Sequence, residues 1–193
     1  MTVEGLRSRF ERPRALDGAA QGPGVGTFLV TDVSNFRRVI QLAGDEASAA
    51  LADDYRSIVS AAVEANNGIV LERIGDNVLA VFRDAGDAVR AAAVMRDALT
   101  DIAWPRDSDA AVTIAVHSGR WSGDPQRATA GTALYRLKRV EGTAEPGQVL
   151  VSAATVALLE GDQYVPPLRD LGERAIADLD GPLHLYELPA QSH

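Results

Sequence analysis

The chain has 193 residues, a formal net charge of −8 and no cysteine. This length suits one domain with a terminal extension, and the missing cysteines exclude disulfides, thiolate metal sites and cysteine nucleophiles. The acidic balance argues against a main function in binding nucleic acid or anionic membranes, because phosphate affinity comes largely from basic side chains. The sequence has no apolar run of about 18 residues and no signal-peptide core, so we expect a cytoplasmic protein without membrane insertion.

Residues 1–26 mix Arg, Glu, Pro and Gly without sustained periodicity, which predicts an N-terminal extension or linker. Within it, Leu6 and Phe10 are spaced four apart and favour a short amphipathic helix over Val3–Arg12. We expect a globular domain over residues 27–189, followed by a tail at 190–193.

From Thr27 onward, strand-like and helical patterns alternate. Apolar runs predict strands at Thr27–Val33, Ile69–Arg73, Val78–Phe82, Ala111–Val116, Gln148–Ser152, Leu168–Leu171 and Leu183–Leu188. Helical periodicity and helix-end signals predict helices at Phe36–Gln41, Asp45–Ala65, Asp84–Leu99, Thr129–Glu141 and Ala153–Leu159.

Two aspartates, Asp32 and Asp76, each lie at the edge of an apolar strand-like run. Strand interiors reject aspartate, so the pair suggests a shared polar spot at the ends of neighbouring strands, where a hard divalent cation could bind. A structural alternative stays open. Asp32 would then cap the helix that begins near Ser34, and Gly75–Asn77 would be an ordinary hairpin turn.

Six segments are distinctive in their sequence and spacing: Thr31–Val33, Ile74–Phe82, Ile114–Gly119, Pro146–Ser152, Leu171–Glu173 and Asp178–Leu188. In this order they resemble the class III adenylate/guanylate cyclase catalytic domain, from about Gly26 to Pro189. The resemblance implies an α+β, ferredoxin-like fold with a central, mostly antiparallel sheet and flanking helices. It also implies head-to-tail dimers with active sites at the subunit interface.

In that family two aspartates bind two metal ions, and Asp32 and Asp76 match their positions. The resemblance therefore implies Mg²⁺ or Mn²⁺ as cofactor and a purine nucleoside triphosphate as substrate. The metals would activate the ribose 3′-hydroxyl and neutralise the triphosphate, which yields a cyclic nucleotide and pyrophosphate.

The partner subunit of the family supplies the substrate-binding residues, and most of these are replaced here. Glu72 stands where adenine-specific members commonly have Lys, and Ala128 where they have Asp or Thr. Tyr135 replaces the Asn of an Asn–Arg pair spaced four apart, whereas Arg139 retains the catalytic Arg. Ala177 stands in place of a phosphate-binding Lys. A carboxylate at Glu72 resembles guanine-specific members, which makes guanine a weaker alternative.

Two other features are interpreted as structural. His117 has no paired carboxylate, and a lone histidine is more often structural than catalytic. Arg136, Lys138 and Arg139 form a basic cluster on one predicted helix, interpreted as a solvated face balanced by Glu141, although Arg139 also has the family position in its favour.

The resemblance thus implies a cyclase-like signalling domain that keeps the metal ligands but is catalytically degraded or depends on a partner chain. Three alternatives stay open. The chain could be the metal-binding half of a heterodimer with another cyclase-like chain. It could be an active adenylate or guanylate cyclase homodimer that uses unusual residues such as Glu72 and Tyr135. It could also be a noncatalytic scaffold in which Asp32 and Asp76 are only a cap and a turn.

Overall fold

The computed structural model describes residues 24–121, 131–176 and 179–190. Within these ranges the chain forms seven strands: β1 (Gly24–Val33), β2 (Ile69–Ile74), β3 (Asn77–Phe82), β4 (Val112–Trp121), β5 (Val149–Ser152), β6 (Arg169–Arg174) and β7 (Leu183–Glu187). The helices are α1 (Phe36–Ala43), α2 (Asp45–Ala65), α3 (Ala85–Leu99), α4 (Thr132–Glu141) and α5 (Ala153–Val156), with a 3-10 turn at Arg106–Ser108. Of the helices in these ranges, none has the length and apolar character needed to cross a membrane.

The strands form one mixed sheet in the order β2-β3-β1-β4-β5-β7-β6. Strand β1 lies near the middle and pairs antiparallel with β3 on one side and with β4 on the other. Neighbours β4 and β5 are parallel, and the other neighbouring pairs are antiparallel. The expectation of an α+β fold with a mostly antiparallel sheet and flanking helices is therefore confirmed.

The two faces of the sheet carry two separate apolar cores. Leu29 and Val33 of β1 belong to the core that contains α2 and α3, whereas Phe28 and Val30 belong to the core that contains α4. Side chains alternate between the faces of a strand. Asp32 has the parity of Phe28 and Val30, which places it on the α4 face at the end of β1.

The predicted elements occur in the predicted order, but several ends differ. Strand β4 continues beyond Val116 to Trp121, because its backbone pairs with the whole length of β1 although Ser118, Gly119 and Arg120 have no strand-like apolar pattern. Helix α4 begins at Thr132, and α5 ends at Val156 rather than Leu159. The predicted helix at Val3–Arg12 lies outside the described residues.

Strand β1 begins at Gly24, inside the stretch whose composition predicts a linker. Gly24 pairs with Trp121 and Gly26 pairs with Gly119 at the end of β4. A Cβ atom on Gly26 would lie 3.1 Å from Cβ of Trp121. The glycine therefore allows the close approach of the Trp121 side chain, and a linker-like sequence forms the start of a central strand.

A buried polar network joins β1, β4 and β5 to α5. Nδ1 of His117 lies 2.8 Å from Oγ of Ser152, which is 3.3 Å from Oγ1 of Thr155. Ser118 donates to Oγ1 of Thr155 at 3.0 Å and lies 2.8 Å from Oγ1 of Thr27. Because all five residues are buried and bonded to each other, the network supports the interpretation of His117 as structural.

The burial of His117 predicts a pH-dependent stability. Burial, with a smaller contribution from the positive charge of Arg136, lowers the pKa of His117 from 6.5 to about 4. Between these two pH values His117 binds a proton in the unfolded chain but not in the folded chain. The contribution of neutral His117 to the free energy of unfolding is therefore fully present above pH 6.5 and is lost as the pH falls toward 4. Between pH 7.5 and pH 5 the wild-type chain should lose about 2 kcal/mol more unfolding free energy than His117→Gln.

Urea denaturation of both proteins at the two pH values measures this difference. Gln can keep the hydrogen bond to Ser152 but does not titrate, which makes it the matched variant. Equal losses in the two proteins would contradict a depressed His117 pKa.

Candidate functional site

Asp32 and Asp76 lie at the same end of neighbouring strands. Asp32 is the penultimate residue of β1, and Asp76 lies in the turn between β2 and β3. Pairing of Thr31 with Val78 places the end of β1 beside this turn. Both aspartates are half-buried, so their carboxylates stand at the border between the sheet and solvent.

The structural alternative for Asp32 is wrong. The N-cap of α1 is Asn35, in the left-handed conformation, and not Asp32. The carboxylate of Asp32 instead accepts a hydrogen bond from Nδ2 of Asn77 at 2.9 Å. Asp76 does occupy a turn, which Gly75 helps to form with its positive φ of 61°, so a turn position and a site position coincide there.

Helix α2 holds this turn from the opposite face of the sheet. The buried hydroxyl of Tyr55 donates to the backbone oxygen of Asp76 at 2.8 Å and lies 2.5 Å from Oγ1 of Thr31. One residue later, Arg56 donates to the backbone oxygen of Gly75 at 3.0 Å. The turn that carries Asp76 is therefore anchored by two consecutive residues of α2.

The pKa of Tyr55 is raised by burial and by the charges of both aspartates. Burial raises the pKa of Tyr55, and the hydrogen bond with Thr31 offsets part of this effect. The negative charges of Asp76 and then of Asp32 raise the pKa further. The pairing of β1 with β3 places Asp32 and Asp76 at the same end of neighbouring strands, and their negative charges disfavour ionisation of the Tyr55 hydroxyl.

Sequence reasoning assigned Tyr55 only to the apolar stripe of its helix. The signal that could have identified its role is chemical. Tyrosine is the one hydroxyl-bearing ring in that stripe, and a buried tyrosine hydroxyl requires a hydrogen-bond partner. The partner itself, a backbone oxygen 21 positions along the chain, is determined only by the fold.

Helix α4 reaches the aspartate end of the site through Lys138. Nζ of Lys138 donates to Oδ1 of Asn77 at 3.0 Å, and it also lies 3.0 Å from Oε2 of Glu141. The interpretation of Lys138 as balanced by Glu141 is confirmed, but the contact with Asn77 went unpredicted. Asn77 thus connects a cation of α4 to the Asp32 carboxylate.

The donor set fits a hard divalent cation. Asp32 and Asp76 supply carboxylate oxygens, and Mg²⁺ is commonly bound by one or two carboxylates with water and phosphate oxygens completing its shell. Across residues 24–121, 131–176 and 179–190, no group of three or more His, Cys, Asp or Glu side chains could hold a metal. A metal here would therefore depend on the two aspartates together with water, backbone or substrate oxygens.

Glu72 borders a cavity beside α4 on the same face as Asp32. The cavity has a volume of about 410 Å³, and its lining is mostly apolar but includes the side chains of Glu72 and Lys138. Its lining residues are Val30, Glu72, Asn77, Leu79, Leu134, Leu137 and Lys138. Glu72, the predicted base-contact residue, therefore borders a cavity of ligand size that is also lined by Asn77, the residue that contacts Asp32.

Of the other residues predicted to bind substrate, two contact each other and two lie outside the described residues. Arg139 donates from Nη2 to the hydroxyl of Tyr135 at 3.3 Å, and its guanidinium carbon lies 5.0 Å from the centre of the Tyr135 ring. The residue that replaces the expected Asn thus contacts the one expected cation that is retained. Ala128 and Ala177 lie outside the described residues.

Solved structures with a similar fold are catalytic domains of nucleotide cyclases. The adenylyl cyclase CyaB from P. aeruginosa has a TM-score of 0.71 at 20% identity, with 88% of this chain and 96% of that chain covered. The guanylate cyclase domain of RhGC from Catenaria anguillulae, in complex with GTP, has a TM-score of 0.73 at 18% identity, with 87% and 97% covered. A dimeric guanylyl cyclase domain of a RhoGC fusion protein from Blastocladiella emersonii has 0.71 at 17% identity, with 86% and 97% covered.

These similarities show that the chain has the fold of adenylate/guanylate cyclase catalytic domains over most of its length. The sequence matches no protein-family model and no curated protein. The fold thus agrees with the resemblance seen in the sequence, whereas the match of Asp32 and Asp76 to the metal ligands of the family remains a prediction.

The anchoring of the turn leads to a prediction for Tyr55. In Tyr55→Phe the backbone oxygen of Asp76 loses the donor from α2, so the free energy of unfolding should fall by about 1–2 kcal/mol. Amide hydrogen exchange in the β2–β3 turn should increase, because only Arg56 of the two α2 residues then still contacts the turn. Urea denaturation and hydrogen-exchange mass spectrometry measure the two effects.

Tyr164→Phe is the matched control, since that ring is 75% exposed and the same hydroxyl is removed. If Tyr55→Phe and Tyr164→Phe are equally stable and equally protected in the turn, the Tyr55 hydroxyl does not anchor Asp76.

Proposed function

We propose that the chain is a class III cyclase-homology domain that keeps the metal-binding half of a nucleotidyl cyclase site and has lost most of the substrate-binding half. It acts as a cytoplasmic, dimerising signalling module that is inactive by itself or depends on a second cyclase-like chain. One contrast supports this proposal above others. Tyr55 holds the backbone of Asp76 and Asn77 holds the carboxylate of Asp32, whereas on α4 the guanidinium of Arg139 lies over the ring of Tyr135.

The metal-binding half has its supporting contacts. Asp32 and Asp76 would hold Mg²⁺ or Mn²⁺, which supplies activation of a hydroxyl nucleophile and neutralisation of phosphate charge. Tyr55 and Arg56 keep the Asp76 turn in place, and Asn77 orients the Asp32 carboxylate. This agreement between ligands and supporting residues favours a working metal site over a scaffold role for the two aspartates.

The substrate-binding half is weak. An ionised Glu72 can only accept hydrogen bonds, so it cannot donate to adenine as a lysine would, and it could accept only from a guanine edge. Arg139 must leave the Tyr135 ring before it could meet a phosphate in the partner's site. Removal of one charge-stabilising donor typically costs about a hundredfold in rate, so the combined replacements predict a very slow site.

A second candidate is the metal-binding half of a heterodimer. The contacts that hold Asp32 and Asp76 favour it, because they leave this half ready for a partner that supplies the missing purine and phosphate contacts. In such a pair the purine nucleoside triphosphate would lie between the aspartates of this chain and α4 of the partner chain.

The first test is cyclic nucleotide production by the purified full chain from ATP and from GTP with Mn²⁺. We expect no more product than the Asp32→Ala/Asp76→Ala variant forms, because the homodimer lacks the base contacts, the Asn and the late Lys. Mass spectrometry of the products gives the measurement. Product that the wild type forms at a rate typical of the family, and that the variant does not form, would overturn the proposal in favour of an active cyclase.

The second test supplies the missing half from the same chain. A complementing chain carries Glu72→Lys, Ala128→Asp, Tyr135→Asn and Ala177→Lys, together with Asp32→Ala and Asp76→Ala. Mixed with the wild type, it creates one complete site per heterodimer. We expect cyclic AMP from the mixture at a rate about a hundredfold or more above that of either chain alone.

The control mixes the complementing chain with Asp32→Ala/Asp76→Ala, which leaves no complete site. If heterodimers form, as native mass spectrometry would reveal, but the mixture with wild type makes no product, then Asp32 and Asp76 do not form a usable metal half.

A further inference from the structure

Lys138 places a positive charge close to Asp32, one of the two proposed metal ligands. It is the only lysine among the 193 residues, and its side chain is 53% exposed on α4. Its Nζ contacts Oδ1 of Asn77 and Oε2 of Glu141, both at 3.0 Å. One amide group therefore separates a fixed positive charge from the Asp32 carboxylate.

The chemistry of the three groups determines how the Asn77 amide is turned. An ammonium group has only donors and an ionised carboxylate has only acceptors. The amide must therefore present its oxygen to Lys138 and its NH₂ group to Asp32, as the 3.0 Å and 2.9 Å contacts show. Lys138, Asn77 and Asp32 thus form a chain in which each polar group supports the next.

We infer that Lys138 competes with the divalent cation at Asp32 and keeps the metal affinity of this chain low. The inference rests on the metal site of the proposed function and deepens it, because it names the residue that sets the affinity. Lys138 is a positioning residue here: it acts on Asp32 through Asn77 and not by direct contact.

Three effects of Lys138 act in the same direction. Its positive charge repels an incoming cation, and the repulsion is reduced but not removed by the partial exposure of the side chain. Its bond to Asn77 occupies the amide oxygen, which is the one atom of that side chain able to coordinate a metal. Its ion pair with Glu141, whose side chain is only 14% exposed, neutralises a nearby carboxylate.

Lys138 also connects the two proposed halves of the site within one chain. Lys138 directly precedes Arg139, and both lie on α4. A metal at Asp32 would compete with the Asn77 amide for the carboxylate and so disturb the Asn77–Lys138 contact of the helix that also carries Tyr135 and Arg139. Metal binding at Asp32 would therefore also change the environment of Tyr135 and Arg139 on α4.

The test measures Mn²⁺ binding to the full chain without nucleotide. The electron paramagnetic resonance signal of free Mn²⁺ reports how much of the metal remains unbound. Lys138→Met keeps the aliphatic length but removes the charge and the donor. It should bind Mn²⁺ about three- to tenfold more tightly than wild type, and the gain should shrink with added salt.

Arg136→Met is the matched control. It removes the same formal charge from α4, but the described contacts of the Asn77 amide are with Lys138 and Asp32, so the affinity should change less than about twofold. Asp32→Asn should abolish most of the Mn²⁺ binding, both in the wild type and in Lys138→Met. If Lys138→Met binds no more tightly than Arg136→Met, the competition is refuted while the metal site stands.

A second readout uses the single lysine directly. Uniform ¹³C-lysine labelling gives one Cε signal, which should shift on addition of Mg²⁺ to the wild type and stay unchanged in Asp32→Asn. An unmoved signal at Mg²⁺ saturation would also refute the competition. If wild type, Lys138→Met and Asp32→Asn all fail to bind Mn²⁺ at millimolar concentration, the metal half of the proposed function fails as well.

Discussion

The pairing of β1 with β3 is the interaction on which the site depends. Its register places Thr31 opposite Val78 and so brings the end of β1, with Asp32, next to the turn that carries Asp76. The hydroxyl of Tyr55 then joins both strand ends to α2, because it contacts Thr31 and the backbone of Asp76. A single buried tyrosine thus connects the end of β1 and the β2–β3 turn to helix α2.

Helix α4 is the second determinant, and its faces have different tasks. One side packs into the core through Ala133, Leu137 and Val140. The side chain of Lys138 contacts Asn77, which in turn contacts Asp32. Tyr135 and Arg139 contact each other at the surface. In the proposed cyclase-like dimer Lys138 and these two residues would serve different sites, and the helix would then link the metal half of one site to the substrate half of another.

Much of the architecture was readable from local patterns. The limits of α2 coincide with the predicted Asp45–Ala65, since its apolar periodicity and the Asn–Asn–Gly stop are local signals. The ends of β1 and β4 were missed for the opposite reason. Their outer residues, among them Gly24, Ser118 and Arg120, have no strand pattern, and they become strand only because two backbones pair along their whole length.

The sequence by itself determined the order of elements, the resemblance to a cyclase domain and the two aspartates, because strand edges with carboxylates and ordered motifs are properties of short segments. Only the tertiary structure decided that Asp32 is not a helix cap, that Tyr55 anchors Asp76 and that Lys138 contacts Asn77. Lys138 and Asn77 are 61 positions apart in the chain. A contact of this kind depends on how α4 packs across the sheet, and no local pattern in the sequence encodes that geometry.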